Sequence, residues 1–212
     1  MRKAASVLAL LAGVGALLTA GSLVLASTLS GDPERPGRIT TTVIASTFPP
    51  PPGPDPVRVA YAARIRGSRA VVAMAVKGDD AIAYVCDGRR LGAWLRGRVY
   101  PEGLMRLQGA RATLTGSVQG TTVLGAIDIA EDVLLAFEAP RVGPPYGLYR
   151  AKTRMRGADL EGGWILLPDG GQVGFVDYET NSGPAPRLVP GSGSVTVAGE
   201  SIPVSPADPS RP

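Results

Sequence analysis

From Arg58 to Tyr178 hydrophobic residues recur at every second position, and that period decides the fold class. Val59, Tyr61, Ala63 and Ile65 alternate with Arg58, Arg64 and Arg66. Leu91, Ala93, Leu95 and Val99 alternate with Trp94, Arg96 and Arg98, and Ala112, Leu114 and Val118 with Arg111, Thr113 and Thr115. Successive side chains of a strand point to opposite faces, so each run presents one face to a core. Turn signals separate the runs, among them Gly78-Asp79-Asp80, Asp87-Gly88, Gln119-Gly120 and Asp169-Gly170. They recur about every 8–12 residues, the spacing of a sandwich or barrel. No stretch has a helical period, and 28 glycines and 20 prolines in 212 residues also oppose helix interiors. The expected fold is all-β, an antiparallel meander barrel of about ten strands, with a β-sandwich as the alternative; barrel closure removes exposed strand edges. One strand, Asp80–Cys86, is apolar on both faces and is expected to be covered on both sides.

The flanks differ from this body. Met1-Arg2-Lys3 is a basic head, and no charged residue follows from Ala4 to Gly31. As a helix, Ala4 to Ala26 would measure roughly 35 Å, enough to cross a bilayer core. Residues 1–31 are therefore expected to form one N-terminal transmembrane or signal helix. A signal anchor is favoured over a cleaved signal peptide because the apolar run exceeds the usual core of a cleaved signal, about 7–15 residues. The basic head should stay in the cytoplasm, which puts the bulk of the chain outside. The expected location is the cell membrane, single-pass, with secretion after cleavage as the alternative. Residues 32–57 form a Pro-rich linker in which Pro49–Pro52 favours polyproline II, and Phe48 to Pro56 would extend about 28 Å as a spacer. Arg38 to Thr47 is β-prone enough for one extra strand. The β domain is expected over 58–178, and the Pro/Gly/Ser-rich tail, 179–212, is expected to be disordered. A hairpin from Val195-Thr196-Val197 and Ile202-Pro203-Val204 is its weaker alternative.

Several chemistries are excluded or disfavoured by what the chain contains. It has no histidine, so His-dependent triads and His-ligated zinc or haem are out. Its one cysteine, Cys86, has no partner for an internal disulfide and no base to activate it, and reads as a small buried residue before an Asp-Gly turn. Carboxylates such as Asp79, Asp80, Asp87, Asp128, Glu131, Asp132, Asp169 and Asp177 fall mainly in turns, where aspartate bonds its own backbone. Asp128, Glu131 and Asp132 lack the spacing of a calcium loop. Trp94 and Trp164, both near glycines, read first as packing residues. No cofactor and no metal is expected.

The net charge is +4, and the excess lies in residues 58–178, with 16 Lys+Arg against 12 Asp+Glu. A balance this modest does not indicate nucleic acid. Placement is more informative. Arg150, Lys152, Arg154 and Arg156 fall on one face of a strand, about 6.6–7 Å apart, while Tyr149, Ala151, Thr153 and Met155 point to the core. Arg96 and Arg98 extend the ladder if their strand is adjacent. Such a ladder suits an anionic lipid or an acidic envelope polymer, although charge also guards a strand edge against mispairing.

Five pieces occur in order: Ala83-Tyr84-Val85-Cys86-Asp87-Gly88, Trp94-Leu95-Arg96-Gly97, Leu114-Thr115-Gly116, Gly147-Leu148-Tyr149-Arg150-Ala151, and the run from Gly162 to Gly174 (GGWILLPDGGQVG). Together they resemble a Gly-rich β domain of uncharacterised actinobacterial exported or membrane-anchored proteins, over roughly residues 58–175. The resemblance implies an extracytoplasmic β domain and carries no established activity. The expected function is a membrane-tethered, extracytoplasmic, non-enzymatic binding or structural module at the cell envelope. The alternative is an envelope polysaccharide hydrolase with paired carboxylates.

Overall fold

A computed structural model describes residues 57–130, 133–179 and 181–211. The expected N-terminal helix, the Pro-rich linker up to Pro56 and the β-prone stretch Arg38 to Thr47 lie outside the described residues. Among those described, no helix is long and apolar enough to cross a membrane.

The alternating runs form strands β1 (Arg58–Arg64), β2 (Val71–Lys77), β3 (Asp80–Cys86), β4 (Gly92–Val99), β5 (Leu104–Gln108), β6 (Ala112–Gln119), β7 (Thr122–Ile129) and β8 (Val133–Val142). Each pairs antiparallel with the next, and β8 returns to β1, so these eight close a meander barrel. The turns are tight. Lys77 pairs with Asp80 and Gln119 with Thr122, leaving two-residue loops that begin at Gly78 and Gly120. Both glycines have positive φ, as short hairpin loops require. The interior is filled by inward residues including Met74, Leu95, Met105, Leu107, Leu114 and Ile127.

The barrel accounts for fewer strands than the sequence suggested. Past Val142 the chain continues into a separate sheet containing β9 (Gly147–Met155), β10 (Ala158–Leu166), β11 (Gln172–Tyr178) and β12 (Asn181–Pro184). The reason lies in its side chains. Gly162 to Leu167 are buried without a break, so these strands need cover on both faces, which a barrel wall open to solvent does not supply. One face packs Leu148, Ile165, Val173 and Phe175 against Ile82, Tyr84 and Cys86 on the outside of β3 and against Val71, Ala73 and Ala75 on the outside of β2. This explains the doubly apolar β3: Ala81, Ala83 and Val85 face the barrel interior, and the second sheet covers the other side.

The expectation of a disordered tail is corrected. Residues 181–211 are ordered against the second sheet. They supply β12, then a hairpin of β13 (Ser194–Val197) and β14 (Glu200–Pro203), then β15 (Ser205–Pro206), which pairs with β9. The hairpin turns at Ala198-Gly199, both at positive φ. Leu188, Val195, Ile202 and Val204 cover Ala151, Leu160, Trp164 and Val176 on the far face of the sheet. Trp164, fully buried, donates its indole N–H to Pro186 O at 2.8 Å. A Pro-rich segment folds here because four well-spaced apolar residues meet a sheet face that has no other cover.

Candidate functional site: a basic cleft at the edge of the second sheet

On β9, Leu148, Arg150, Lys152 and Arg154 share the face turned toward the barrel. Leu148 packs on the barrel wall. Arg150 follows where the two layers part. Its side chain is only 13% exposed, and its Nε and Nη2 both donate to Glu161 Oε1, at 2.9 and 2.5 Å. The guanidinium carbon lies 5.0 Å from the centre of the Trp94 ring, and Trp94 packs on Tyr84 with centroids 4.3 Å apart. This stack needs Gly163, the cross-strand partner of Arg150. A Cβ at Gly163 would lie 2.5 Å from the Tyr84 ring and 2.9 Å from Trp94.

A cleft of about 440 Å³ opens beside Arg150, lined by Arg58, Lys152, Ser205, Asp208 and Arg211 among others. The tail forms one wall and is held by backbone carbonyls. Arg58 donates to Ala207 O at 3.3 Å, and Arg96 donates to Pro209 O at 3.4 Å and to Arg211 O at 2.6 Å. Burial, then the like charge of Arg150, depress the Arg96 pKa, and Glu161 offsets part of this. Asp208 is held below the usual carboxylate range by the Ser210 N–H, against some burial, with Lys77 and Arg211 helping. Lys152 is exposed and has no ion-pair partner among the described residues.

The six cations of the expected ladder do not stay together. Arg150 and Lys152 line the cleft, and Arg96 stands behind its tail wall, brought there by packing of the sheet on the barrel; β4 and β9 are not paired. Arg154 pairs with Asp159 at 3.3 Å, its neighbour on β10. Arg156 leaves the strand. It sits at φ 51° in the two-residue turn to β10 and binds Glu200 of the opposite hairpin at 2.5 Å, which raises its pKa. Arg98 is engaged separately, with Asp79 at 3.0 Å. Sequence reasoning missed Arg58 and Arg211. Arg58 reads as one polar position of a strand, and Arg211 falls in a tail read as disordered, so no local signal joins them.

The other candidates are held in local structural contacts. Burial pushes the Cys86 thiol up to about 11, and its sulfur accepts the Gly88 N–H at 3.2 Å. At neutral pH roughly one molecule in 10⁴ would carry the thiolate. Burial works against ionisation of Asp87, but the N–H groups of Leu91, Arg90 and Arg89 bond its Oδ1 at 2.8–2.9 Å and hold its pKa below the usual value. It closes the β3–β4 turn. Asp169 is likewise lowered, by Arg64 and the Gly171 N–H. Glu131 and Asp132 lie outside the described residues. Asp159 and Glu161 share a groove, but they stand side by side on β10, each ion-paired with an arginine.

These shifts set a pH window. Asp87, Asp169 and Asp208 have lowered folded pKa values. Their stabilisation is complete well above an unfolded value of about 3.9 and is lost as pH falls through the folded values. Burial raises Cys86, so its stabilisation is complete below the free-thiol value of about 8.5 and is lost as pH rises toward about 11. Thermal melts should therefore show a plateau between about pH 5 and 8 that falls on both sides. Cys86→Ala should flatten the alkaline limb below about pH 10, above which the buried Tyr84 hydroxyl, also raised by burial, contributes as well; an unchanged limb below pH 10 would remove Cys86 as its source.

No family model matches the chain, and neither does any curated protein or solved structure.

Proposed function

We propose that this chain is a membrane-tethered, extracytoplasmic, non-enzymatic binding module that seats an anionic group of the cell envelope in the basic cleft. The observation that carries the reading is the convergence of Arg58, Arg150, Lys152 and Arg211 on one concavity: Arg150 pairs with Glu161 and Arg211 with Asp208 at 3.8 Å, and Arg58 and Lys152 have no ion-pair partner among the described residues. An uncharged leader after a basic head supports export and tethering, as does the resemblance to exported actinobacterial β domains. The anion belongs to a lipid headgroup or an acidic envelope polymer. The two share the chemistry of repeated negative charge, which favours several cations over one. The alternative, a polysaccharide hydrolase, requires two carboxyls across a cleft, and nothing in the arrangement of Asp159 and Glu161 favours it.

The test uses the full chain with phosphatidylglycerol vesicles in one arm and soluble polyglutamate in the other. Lys152→Glu with Arg211→Glu reverses two exposed charges outside any apolar core. Binding in the responsive arm should fall at least tenfold, and the native protein should lose affinity between 50 and 200 mM salt. Equal binding by the native and doubly reversed proteins in both arms sinks the cleft as the site.

A further inference from the structure

A second concavity lies at one rim of the barrel, far from the start of β1. That strand begins at Arg58, and the row that pairs Arg64, Val71, Cys86 and Gly92 borders the rim about 20 Å further along. At this rim β4 outruns its neighbour. Pairing with β5 stops at Arg96 and Gln108, and the turn between β5 and β6 takes the place of a strand beside Trp94. A Cβ at Gly109 would lie 2.2 Å from Trp94 O, so only glycine lets the turn press on β4. Between this turn, β4 and Glu161 of the second sheet a pocket of about 310 Å³ opens.

Its lining is chemically mixed. Leu91 and Ile129 are apolar and half-buried. Tyr84 and the Arg150 guanidinium hold the Trp94 ring, whose indole N–H is not buried and makes no hydrogen bond among the described residues. Oε1 of Glu161 takes both bonds from Arg150, which leaves Oε2 free to accept. Arg90 and Arg111 are exposed, and neither makes an ion pair among the described residues. Their backbones are nevertheless fixed. The Arg90 N–H donates to Asp87 Oδ1 at 2.9 Å, and Arg111 O accepts the Ala130 N–H at 2.9 Å. The Asp87 turn thus places an arginine at the pocket as well as closing a hairpin.

We infer that this pocket binds one anionic sugar unit, a pyranose bearing a carboxylate or a phosphate. The two guanidiniums take the anion, which arginine holds through paired N–H donors. Oε2 of Glu161 accepts from one ring hydroxyl and the Trp94 N–H donates to another. The C–H faces of the sugar lie on Leu91 and Ile129. A simple carboxylate would leave Glu161 and Trp94 unused, and a neutral sugar would leave both arginines unused. The volume falls at the lower end of small-molecule pockets, about 300–1,000 Å³, which suits a single ring. No residue lines both this pocket and the basic cleft, so the inference stands without that cleft as a binding site.

The probes are methyl β-D-glucuronide and glucose 6-phosphate, titrated into the full chain in detergent and read by the NMR shift of the Trp94 indole N–H. At least one should bind saturably at millimolar concentration, and the tighter of the two names the anion. It should bind at least tenfold more tightly than methyl β-D-glucoside, which lacks the charge, and than cyclohexanecarboxylate, which lacks the hydroxyls. These comparisons use the native protein and do not depend on how any variant folds. Arg90→Glu with Arg111→Glu reverses two exposed charges and should weaken the binding at least tenfold. The inference is overturned by no saturation with either probe, by equal binding of the glucoside or of cyclohexanecarboxylate, or by a reversed variant that binds as the native protein does. Binding that appears only after removal of residues 1–56 also overturns it, by assigning the pocket to the chain's own N-terminal segment.

Discussion

Ending the chain after Pro184 should cost the protein its folded second sheet, with the melting temperature down by more than 10 °C or soluble expression lost. The truncation uncovers Leu160, Trp164 and Val176 and removes the four apolar side chains that cover them, Leu188, Val195, Ile202 and Val204. At about 1.5–3 kcal/mol for each buried aliphatic side chain the loss is about 6–12 kcal/mol. That is comparable to the whole stability of an ordinary domain, about 5–15 kcal/mol. It also orphans the Trp164 indole N–H, whose acceptor is Pro186 O. Ile202→Asp, which keeps the chain length, should move stability in the same direction by several kcal/mol. A truncated protein that melts within about 3 °C of the native one would make the tail a mere appendage.

The second large effect is expected at Gly163. Its position across from Arg150 sets the gap between sheet and barrel, because the Tyr84 and Trp94 rings occupy the space where a side chain would stand. Gly163→Val must either displace both rings or push the sheet outward. Overpacking costs about 1–3 kcal/mol where neighbours can yield. Here they yield poorly: Tyr84 is buried and Trp94 lies under the Arg150 guanidinium. The expected result is a loss at the upper end of that range, together with a red shift of tryptophan fluorescence as Trp94 is exposed. Displacing Trp94 also frees Arg150, so anion binding in the cleft should fall in the same variant. Native stability and native fluorescence together would show that the layers are not in contact at this point.

Both predictions depend on the second sheet, where sequence and structure part most clearly. The period of two identified the strands of the barrel and placed Ala83 and Val85 on the opposite face from Tyr84 and Cys86. It also put Arg150, Lys152 and Arg154 on a common face. It was silent about what lay across from them. Asp159, the cross-strand partner of Arg154, and Glu161, diagonal to Arg150 on β10, neutralise these two arginines, and Arg156 is turned away by a hairpin whose residues fall at positive φ. Composition misled at the tail, because proline and glycine content says nothing about whether four apolar residues have a surface to cover.

What the sequence by itself determined is the all-β class, the tight turns and the burial of Ala81–Cys86 on both faces, with Cys86 among them. These follow from short-range physics: alternation of side chains along a strand and backbone restrictions at glycine and proline. Only the tertiary structure decided that eight strands close while the rest form a separate layer. The same holds for the ordering of the tail and for the meeting of Arg58 and Arg211 with Arg150. Each of these depends on which surfaces meet across long stretches of chain, and burial is won by complementary faces irrespective of their order in the sequence.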